Sequence, residues 1–344
     1  MNRISPVGKD NQAQRRRAIF VWAAHNPAIF PFLLIVITSF VVGLINPDFW
    51  QLTTLFDVLR ASVVTGLFAL GVLLILAAGG LDVSFTAIAA LVMYSVTLLV
   101  VEFFPDLGIV SIFLAGAVGG AALGGVNGFL VHSLQAPALI VTIGTQYALR
   151  GFLLTFIGTQ LFMNIPDSMT AFGKSNLVSV TSKNGLSVDL PAYFLLLVVA
   201  ALATAAILRY TIFGRAIYAV GGNPDIAARL GYRIVWIRVL VFAYAGLLAG
   251  LAGITHVMAN RLANPFDLVG SELAVIAAVI LGGARITGGS GNVVGTMLGV
   301  LLITLINNVL ILVGIPSEWQ TAILGGFILI GGMFFSLLDR FKTD

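Results

Sequence analysis

Ten apolar stretches, most of them about 20 residues long, are spread along this 344-residue chain. A helix of about 20 apolar residues is long enough to cross the roughly 30 Å hydrocarbon core of a bilayer. The chain is 59% hydrophobic and only 9% charged, whereas a soluble domain carries roughly 25% charged residues. The sequence therefore predicts an all-α polytopic membrane protein. Its expected spans are 28–46, 59–78, 84–103, 108–131, 137–158, 191–209, 237–257, 271–284, 292–313 and 319–338.

Lysine and arginine residues predict the orientation of these spans, because they concentrate in the cytoplasmic segments of membrane proteins. An even number of spans places both termini on one side. If that side is the cytoplasm, only Lys174, Lys183 and Arg261 lie clearly outside. Thirteen of the eighteen basic residues then lie inside, namely Arg3, Lys9, Arg15, Arg16, Arg17, Arg209, Arg215, Arg229, Arg233, Arg238, Arg285, Arg340 and Lys342.

This orientation predicts three regions: a basic cytoplasmic segment at 1–27, a membrane domain at 28–338 and a cytoplasmic tail at 339–344. The first apolar run has full spanning length and lacks a small-residue cleavage site, so we expect an uncleaved helix rather than a signal peptide. The longest outside loop is expected at about 159–190, and the longest inside loop at about 210–236.

Glycines recur every four residues in the fourth span, which places them on one face of a helix. They are Gly116, Gly120, Gly124 and Gly128, and the pair Gly246 and Gly250 repeats the spacing in the seventh span. Such a groove allows a neighbouring helix to approach closely. Two further apolar runs, 74–84 and 278–292, are interrupted by glycine pairs, a pattern found in transport proteins.

A few polar residues fall within the predicted spans, where they must face the bundle interior or water. One interpretation is a path for a polar solute, and the other is hydrogen bonding between helices. The candidates for the path are Gly80, Asp82, Asn127, Gln146 and Asn307.

The inside loop contains the stretch "AVGGNPDIAARLGYR" at 219–233, which has the signals of a short helix with a cap at each end. Asn223 is a good N-cap, and Pro224 suits the first helical position. Asp225 complements the positive end of the helix dipole, and Gly231 can close the helix in a left-handed conformation. Ile226 and Leu230 then form one apolar ridge.

Three roles compete for this helix. It could lie on the membrane surface, with its arginines held to anionic lipid. It could be a simple connector. It could also be a rigid knob that docks into a cytoplasmic protein and transmits force, because a helix capped at both ends does not unravel when its partner moves.

The chain lacks the residue patterns of an enzyme. It contains no HExxH, no GxSxG and no cysteine. The stretch "SMTAFGKS" at 168–175 ends like a phosphate-binding loop, but Ser168 stands where that motif requires glycine. We expect no cofactor and no nucleic-acid partner, and any ATP that is used must bind to another chain.

The motifs "AGGLDVS", "APALIVTIGTQYALRG", "FGRAIYAVGGNPDIAARLGY" and "AVILGGARITGGSGNVVGTMLG" resemble the permease subunits of bacterial ABC importers for simple sugars. Within that family the chain resembles the ribose, xylose, rhamnose and autoinducer-2 permeases, and the resemblance covers about residues 50–335. Many relatives have valine and glycine where this chain has Phe85 and Thr86.

The resemblance implies a type II permease bundle, like that of the vitamin B12 importer, in the bacterial inner membrane. It also implies cytoplasmic ATPase subunits, a second permease (identical or a sister chain) and a periplasmic solute-binding protein as partners, with membrane lipid around the bundle. By this resemblance the segment that meets the ATPase comprises Gly222, Asn223, Pro224, Asp225, Ala227, Ala228, Arg229 and Gly231.

The implied function is the import of a monosaccharide or a similar small polyhydroxylated solute, without catalysis by this chain. Two alternatives stay open at this point. One is an ABC permease for branched-chain amino acids or nucleosides. The other is an ion-coupled transporter, for which Asp82 and Glu272 are the candidate carboxylates.

Overall fold

The computed structural model describes residues 28–181 and 187–312, together with scattered positions between 314 and 333. The expected 1–27 segment, most of the tenth span and the 339–344 tail lie outside these residues. Within the described residues the first six helices are α1 (Ile29–Ile45), α2 (Leu52–Ala77), α3 (Phe85–Phe103), α4 (Ile109–Ser133), α5 (Ala138–Phe152) and the short α6 (Asp167–Lys174). The next six are α7 (Phe194–Tyr210), α8 (Ile212–Gly222), α9 (Pro224–Arg229), α10 (Ile234–Asn260), α11 (Glu272–Leu281) and α12 (Val293–Leu312).

The helices confirm a polytopic membrane protein. In the described part of the chain, six helices are long and apolar enough to cross a membrane: α2, α3, α4, α5 with its π-helical extension Leu153–Ile157, α10 and α12. A seventh span results if α7 and α8 count as one, although they meet at a bend of 75°. The first and eighth expected spans are the shorter helices α1 and α11. The total of ten spans stays a prediction.

Helix α2 forms the centre of the bundle. Every residue from Gly66 to Ala77 is buried, and a helix that is apolar and buried on all sides belongs in the interior of a fold. It packs against α7, α10, α11 and α12. Four helices of the bundle thus share this one element as a packing partner.

Glycine allows α4 and α10 to pack backbone against backbone. The two helices run antiparallel, because Gly116 lies against Gly250 while Gly128 lies against Val239. A Cβ atom added at Gly120 would collide with the carbonyl oxygen of Gly246. All four glycines expected on one face of α4 are buried against α10. The structure therefore confirms the expected seam and identifies its partner.

The two ends of the bundle differ in composition. The arginine end comprises the end of α7, helices α8 and α9, the start of α10 and the loop 282–292. Its arginines are Arg209, Arg215, Arg229, Arg233, Arg238 and Arg285. The hairpin end carries strands β1 (Asn176–Thr181) and β2 (Ser187–Pro191), which pair antiparallel with Val180 opposite Val188. The sequence predicted only a loop at 159–190, so α6 and the hairpin are new features.

Substituting Gly120 by alanine tests the seam. We expect Gly120→Ala to lower the stability of the detergent-purified chain by about 1–3 kcal/mol, because the added methyl group would overpack a backbone contact. Gly119→Ala is the matched control, since its Cβ would lie 3.6 Å from Val92, an ordinary contact. Thermal unfolding followed by circular dichroism measures both. Equal melting temperatures for the two variants would contradict the seam.

Candidate functional site

The short helix α9 has the caps that the sequence predicts. The Asn223 side chain accepts a hydrogen bond from the Ile226 backbone N–H at 3.0 Å, and Pro224 opens the helix. At the other end Gly231 has φ +89°, and the N–H of Tyr232 donates to the Ala227 carbonyl at 3.1 Å. These bonds form a Schellman closure. The geometry of a doubly capped helix is confirmed.

The outer face of α9 is apolar and unpartnered in the single chain. Ile226 is 54% exposed and Leu230 is 71% exposed, and Arg229 is exposed beside them. Ala227, by contrast, is buried against the chain's own helices. Of the segment expected to meet an ATPase, Ala227 therefore anchors α9, while the remaining members lie at the surface.

Helix α8 precedes α9 and ties it to the bundle, and α8 and α9 together are called the lever. Sequence reasoning missed α8 and treated its residues as part of a loop. The helix begins after an N-cap, Thr211, whose side chain accepts a hydrogen bond from the Gly214 N–H at 3.0 Å. The Tyr218 hydroxyl then donates to the Gly291 carbonyl at 2.8 Å, which ties α8 to the loop that follows α11.

A glycine junction joins three segments at the arginine end: the turn after α2, the end of α8 and the loop after α11. The Gly289 N–H donates to the Ala77 carbonyl at 3.0 Å. A Cβ at Gly221 would collide with that same carbonyl, and a Cβ at Gly288 would lie 2.6 Å from the Gly221 carbonyl oxygen. Gly79 and Gly288 also adopt left-handed backbone conformations, with φ +81° and +89°. The two glycine-interrupted runs of the sequence thus meet each other and the lever.

Two of the expected path residues, Asp82 and Asn127, belong to one buried polar cluster. Asp82 accepts hydrogen bonds from the Ser84 backbone N–H at 2.7 Å and from the Ser84 hydroxyl at 2.6 Å. The Asn127 amide donates to the same hydroxyl at 2.6 Å. Asp82 and Asn127 are each only 2% exposed. In this conformation they therefore link α4 to the start of α3.

Gln146 belongs to a second polar cluster, centred on the buried Glu272. The Glu272 carboxylate accepts hydrogen bonds from the Thr86 hydroxyl, from the Gln146 amide at 2.8 Å and from the Gly270 N–H at 2.9 Å. It thereby connects the first residue of α11 with α3 and α5. Sequence reasoning missed this pairing, because its members are far apart along the chain.

The other two expected path residues lie elsewhere. Gly80 lines a small cavity of about 180 Å³ near Ala138 and Arg238, towards the arginine end. Asn307 is half-buried on α12. The five residues thus do not line one continuous channel in this conformation, and their role in transport stays a prediction.

A larger cavity, of about 640 Å³, opens at the hairpin end between α2, α10, α11 and α12. Sequence reasoning missed it, because its lining comes from segments that are distant in sequence. Arg60 and His256 were the visible signals, as charged or titratable residues inside apolar runs. Its polar lining includes Asp57, Arg60, Thr65, His256, Asn260 and Asn308.

Similarity to known proteins agrees with this architecture. Residues 54–331 match the family described as "Branched-chain amino acid transport system / permease component". The chain is 33% identical over 315 residues to the ribose import permease protein RbsC of Bacillus subtilis, covering 91% of this chain and 92% of that protein. It is 30% identical over 320 residues to RbsC of Escherichia coli K12, covering 92% and 95%.

A third relative is the autoinducer 2 import system permease protein LsrC of Yersinia pseudotuberculosis. It is 32% identical over 309 residues, covering 88% of this chain and 83% of LsrC. No solved structure matches the chain. On the family match and on these near full-length similarities, the chain belongs to the family of branched-chain amino acid transport system permease components.

Proposed function

We propose that this chain is the permease subunit of an ATP-binding cassette importer that carries a monosaccharide or a similar small polyhydroxylated solute across the bacterial inner membrane. The observation that carries the proposal is the near full-length similarity to proteins named as ribose and autoinducer-2 import permeases. The exposed, doubly capped helix α9 supports it, because a permease without its own ATPase needs a docking element.

The proposal includes the finer architecture. Both termini lie in the cytoplasm, the chain spans the membrane ten times, and the bundle is of type II. The regions remain 1–27, 28–338 and 339–344. The arginine end faces the cytoplasm and the hairpin end faces the periplasm, since arginine concentrates on the cytoplasmic side.

The proposed partners are those of an ATP-binding cassette importer. Two cytoplasmic ATPase subunits hydrolyse ATP, a second permease completes the membrane unit, and a periplasmic binding protein delivers the solute. This chain converts closure of the ATPases into movement of its helices. The contacts support one direct route, in which α9 moves α8, and α8 moves α2 and α11 through the glycine junction.

A second candidate is the import of a branched-chain amino acid, which the family's description favours.

An uptake assay in proteoliposomes that contain the permease, its ATPase and its binding protein distinguishes the two candidate functions. We expect ATP-dependent uptake of a radiolabelled pentose or hexose. ATP-dependent uptake of leucine alone would overturn the sugar assignment, and uptake driven by a proton or sodium gradient without ATP would overturn the whole proposal.

Reversing the charge of Arg229 tests α9 as the docking element. We expect Arg229→Glu to lower ATP-driven uptake about tenfold or more. In the proposed interface Arg229 faces an acidic group of the ATPase, and a glutamate there would place two like charges together, which costs several kcal/mol. Arg233→Glu is the control, since Arg233 is also exposed in this loop but lies beyond α9. Membrane abundance, measured by immunoblot, should be unchanged in both variants. Normal uptake by Arg229→Glu would count against docking at α9.

Gly221 at the end of α8 is the test position for the glycine junction. Gly221→Ala would collide with the Ala77 carbonyl, whereas Gly108→Ala at the start of α4, outside the junction and the docking segment, would meet only open space. We expect Gly221→Ala to reduce uptake strongly and the control Gly108→Ala to leave most of it, because overpacking at the junction costs about 1–3 kcal/mol. Uptake is measured at equal membrane abundance. Equal uptake by the two variants would exclude the junction from the route.

A further inference from the structure

The cavity at the hairpin end has the size and position of a ligand-binding chamber. Its volume of about 640 Å³ falls within the range of about 300–1,000 Å³ that is typical of small-molecule sites. Residues of α2, α10, α11 and α12 line it, together with Tyr193 just before α7. Because at least four helices contribute walls, a rearrangement of the bundle would change its shape.

The uncharged lining suits hydroxyl groups. Thr65, Ser271 and Tyr193 contribute hydroxyls, and Asn260 and Asn308 contribute amides. Ser271, Asn260 and Asn308 donate to backbone carbonyls of the chain itself. Their side-chain oxygens remain as acceptors for the hydroxyls of a sugar. The Phe68 ring adds an apolar patch to the same wall.

Arg60 and His256, the basic or titratable nitrogen groups of the lining, already have protein partners. Arg60 Nη2 donates to the Asp189 carbonyl at 2.9 Å, and Arg60 Nη1 lies 3.9 Å from Asp57 Oδ1. His256 Nε2 lies 3.0 Å from Asp267 Oδ2. A free amino acid needs separate charged partners for its ammonium and carboxylate groups, whereas a neutral sugar needs no charged partner. The chemistry of the cavity therefore favours a neutral solute.

The floor of the cavity is connected to the glycine junction. Ser271 and Val275 line the cavity from the first turn of α11, and the adjacent Glu272 fixes that turn to α3 and α5. Helix α11 has ten residues and is therefore about 15 Å long. Its other end leads into the loop that contacts Gly221. One short helix thus joins the cavity floor to the lever.

We propose that this cavity is the outward-facing solute site of the permease and that it accepts a neutral polyhydroxylated solute of pentose or hexose size. This inference rests on the proposed function. It adds that the permease itself, at Thr65, Asn260, Ser271 and Asn308, contacts the solute before the bundle rearranges.

The absence of cysteine from the chain makes a direct test available, because one introduced thiol is the only reactive thiol of the permease. Thr65→Cys places that thiol in the cavity wall. Thr53→Cys is the matched control: the same substitution on the same helix, near its outer end and outside the cavity lining. Right-side-out vesicles with the complete importer receive a membrane-impermeant thiol reagent, with and without D-ribose, D-glucose or L-leucine.

We expect both thiols to react. A sugar should slow the labelling of Thr65→Cys by about threefold when its concentration is twice its dissociation constant. L-leucine should not slow this labelling, and labelling of Thr53→Cys should stay constant throughout.

Two results would overturn the inference alone. In the first, the Thr65→Cys thiol does not react while the Thr53→Cys thiol does. In the second, the vesicles import a sugar, but that sugar does not slow the labelling of Thr65→Cys. Import of leucine, with protection of Thr65→Cys by leucine, would instead overturn the proposed function together with the sugar preference.

Discussion

Direct contact between backbones, made possible by glycine, is the interaction on which the rest of this structure depends. Apolar side chains gain little by leaving lipid for the interior of a helical bundle, so membrane helices associate largely through close packing. The α4–α10 seam uses this principle over Gly116, Gly120 and Gly124. The junction of Gly221 with Gly288 applies it at a second place, where three segments meet. A seam of this kind holds two helices together, whereas the junction holds the lever against the end of α2 and the loop after α11.

The junction gives the short helix α11 its significance. At one end, the Glu272 carboxylate holds its first turn to α3 and α5. At the other end, the chain turns through Gly282 and Gly283 into the loop that carries Gly288 and contacts α8. A helix too short to span the membrane can move as a unit without carrying a whole transmembrane column with it. In this account, α11 links the ATPase side of the protein to the solute side.

Local features of the chain were largely predictable from sequence. Apolar runs predicted the helices, i+4 spacing predicted the glycine face, and Asn223, Pro224 and Gly231 predicted the caps of α9, because each signal acts within one or two turns. Long-range contacts were not predictable. The hydrogen bonds of Glu272 with Thr86 and Gln146 join residues more than a hundred positions apart. The hairpin also escaped prediction, since its strands are short and lie in a polar loop.

The site was predictable in part. Sequence similarity pointed to the α9 segment, and the structure shows that Ile226 and Leu230 leave an apolar ridge at its surface. Asp82 and Asn127 were correctly expected to face the interior. Both side chains form hydrogen bonds with the Ser84 hydroxyl, and they do not line an open channel. The cavity at the hairpin end required coordinates, because its walls come from elements that the sequence alone cannot bring together.

Site-directed cross-linking from α9 is the most direct test of the central claim that a separate ATPase grips this helix. Leu230→Cys provides a unique thiol on the exposed ridge, since the chain has no other cysteine. In membranes containing the whole importer, the account predicts a cross-linked product between this thiol and the ATPase subunit. Reaction of the thiol with an impermeant reagent added from the periplasmic side, together with the absence of any cross-link to the ATPase, would contradict it.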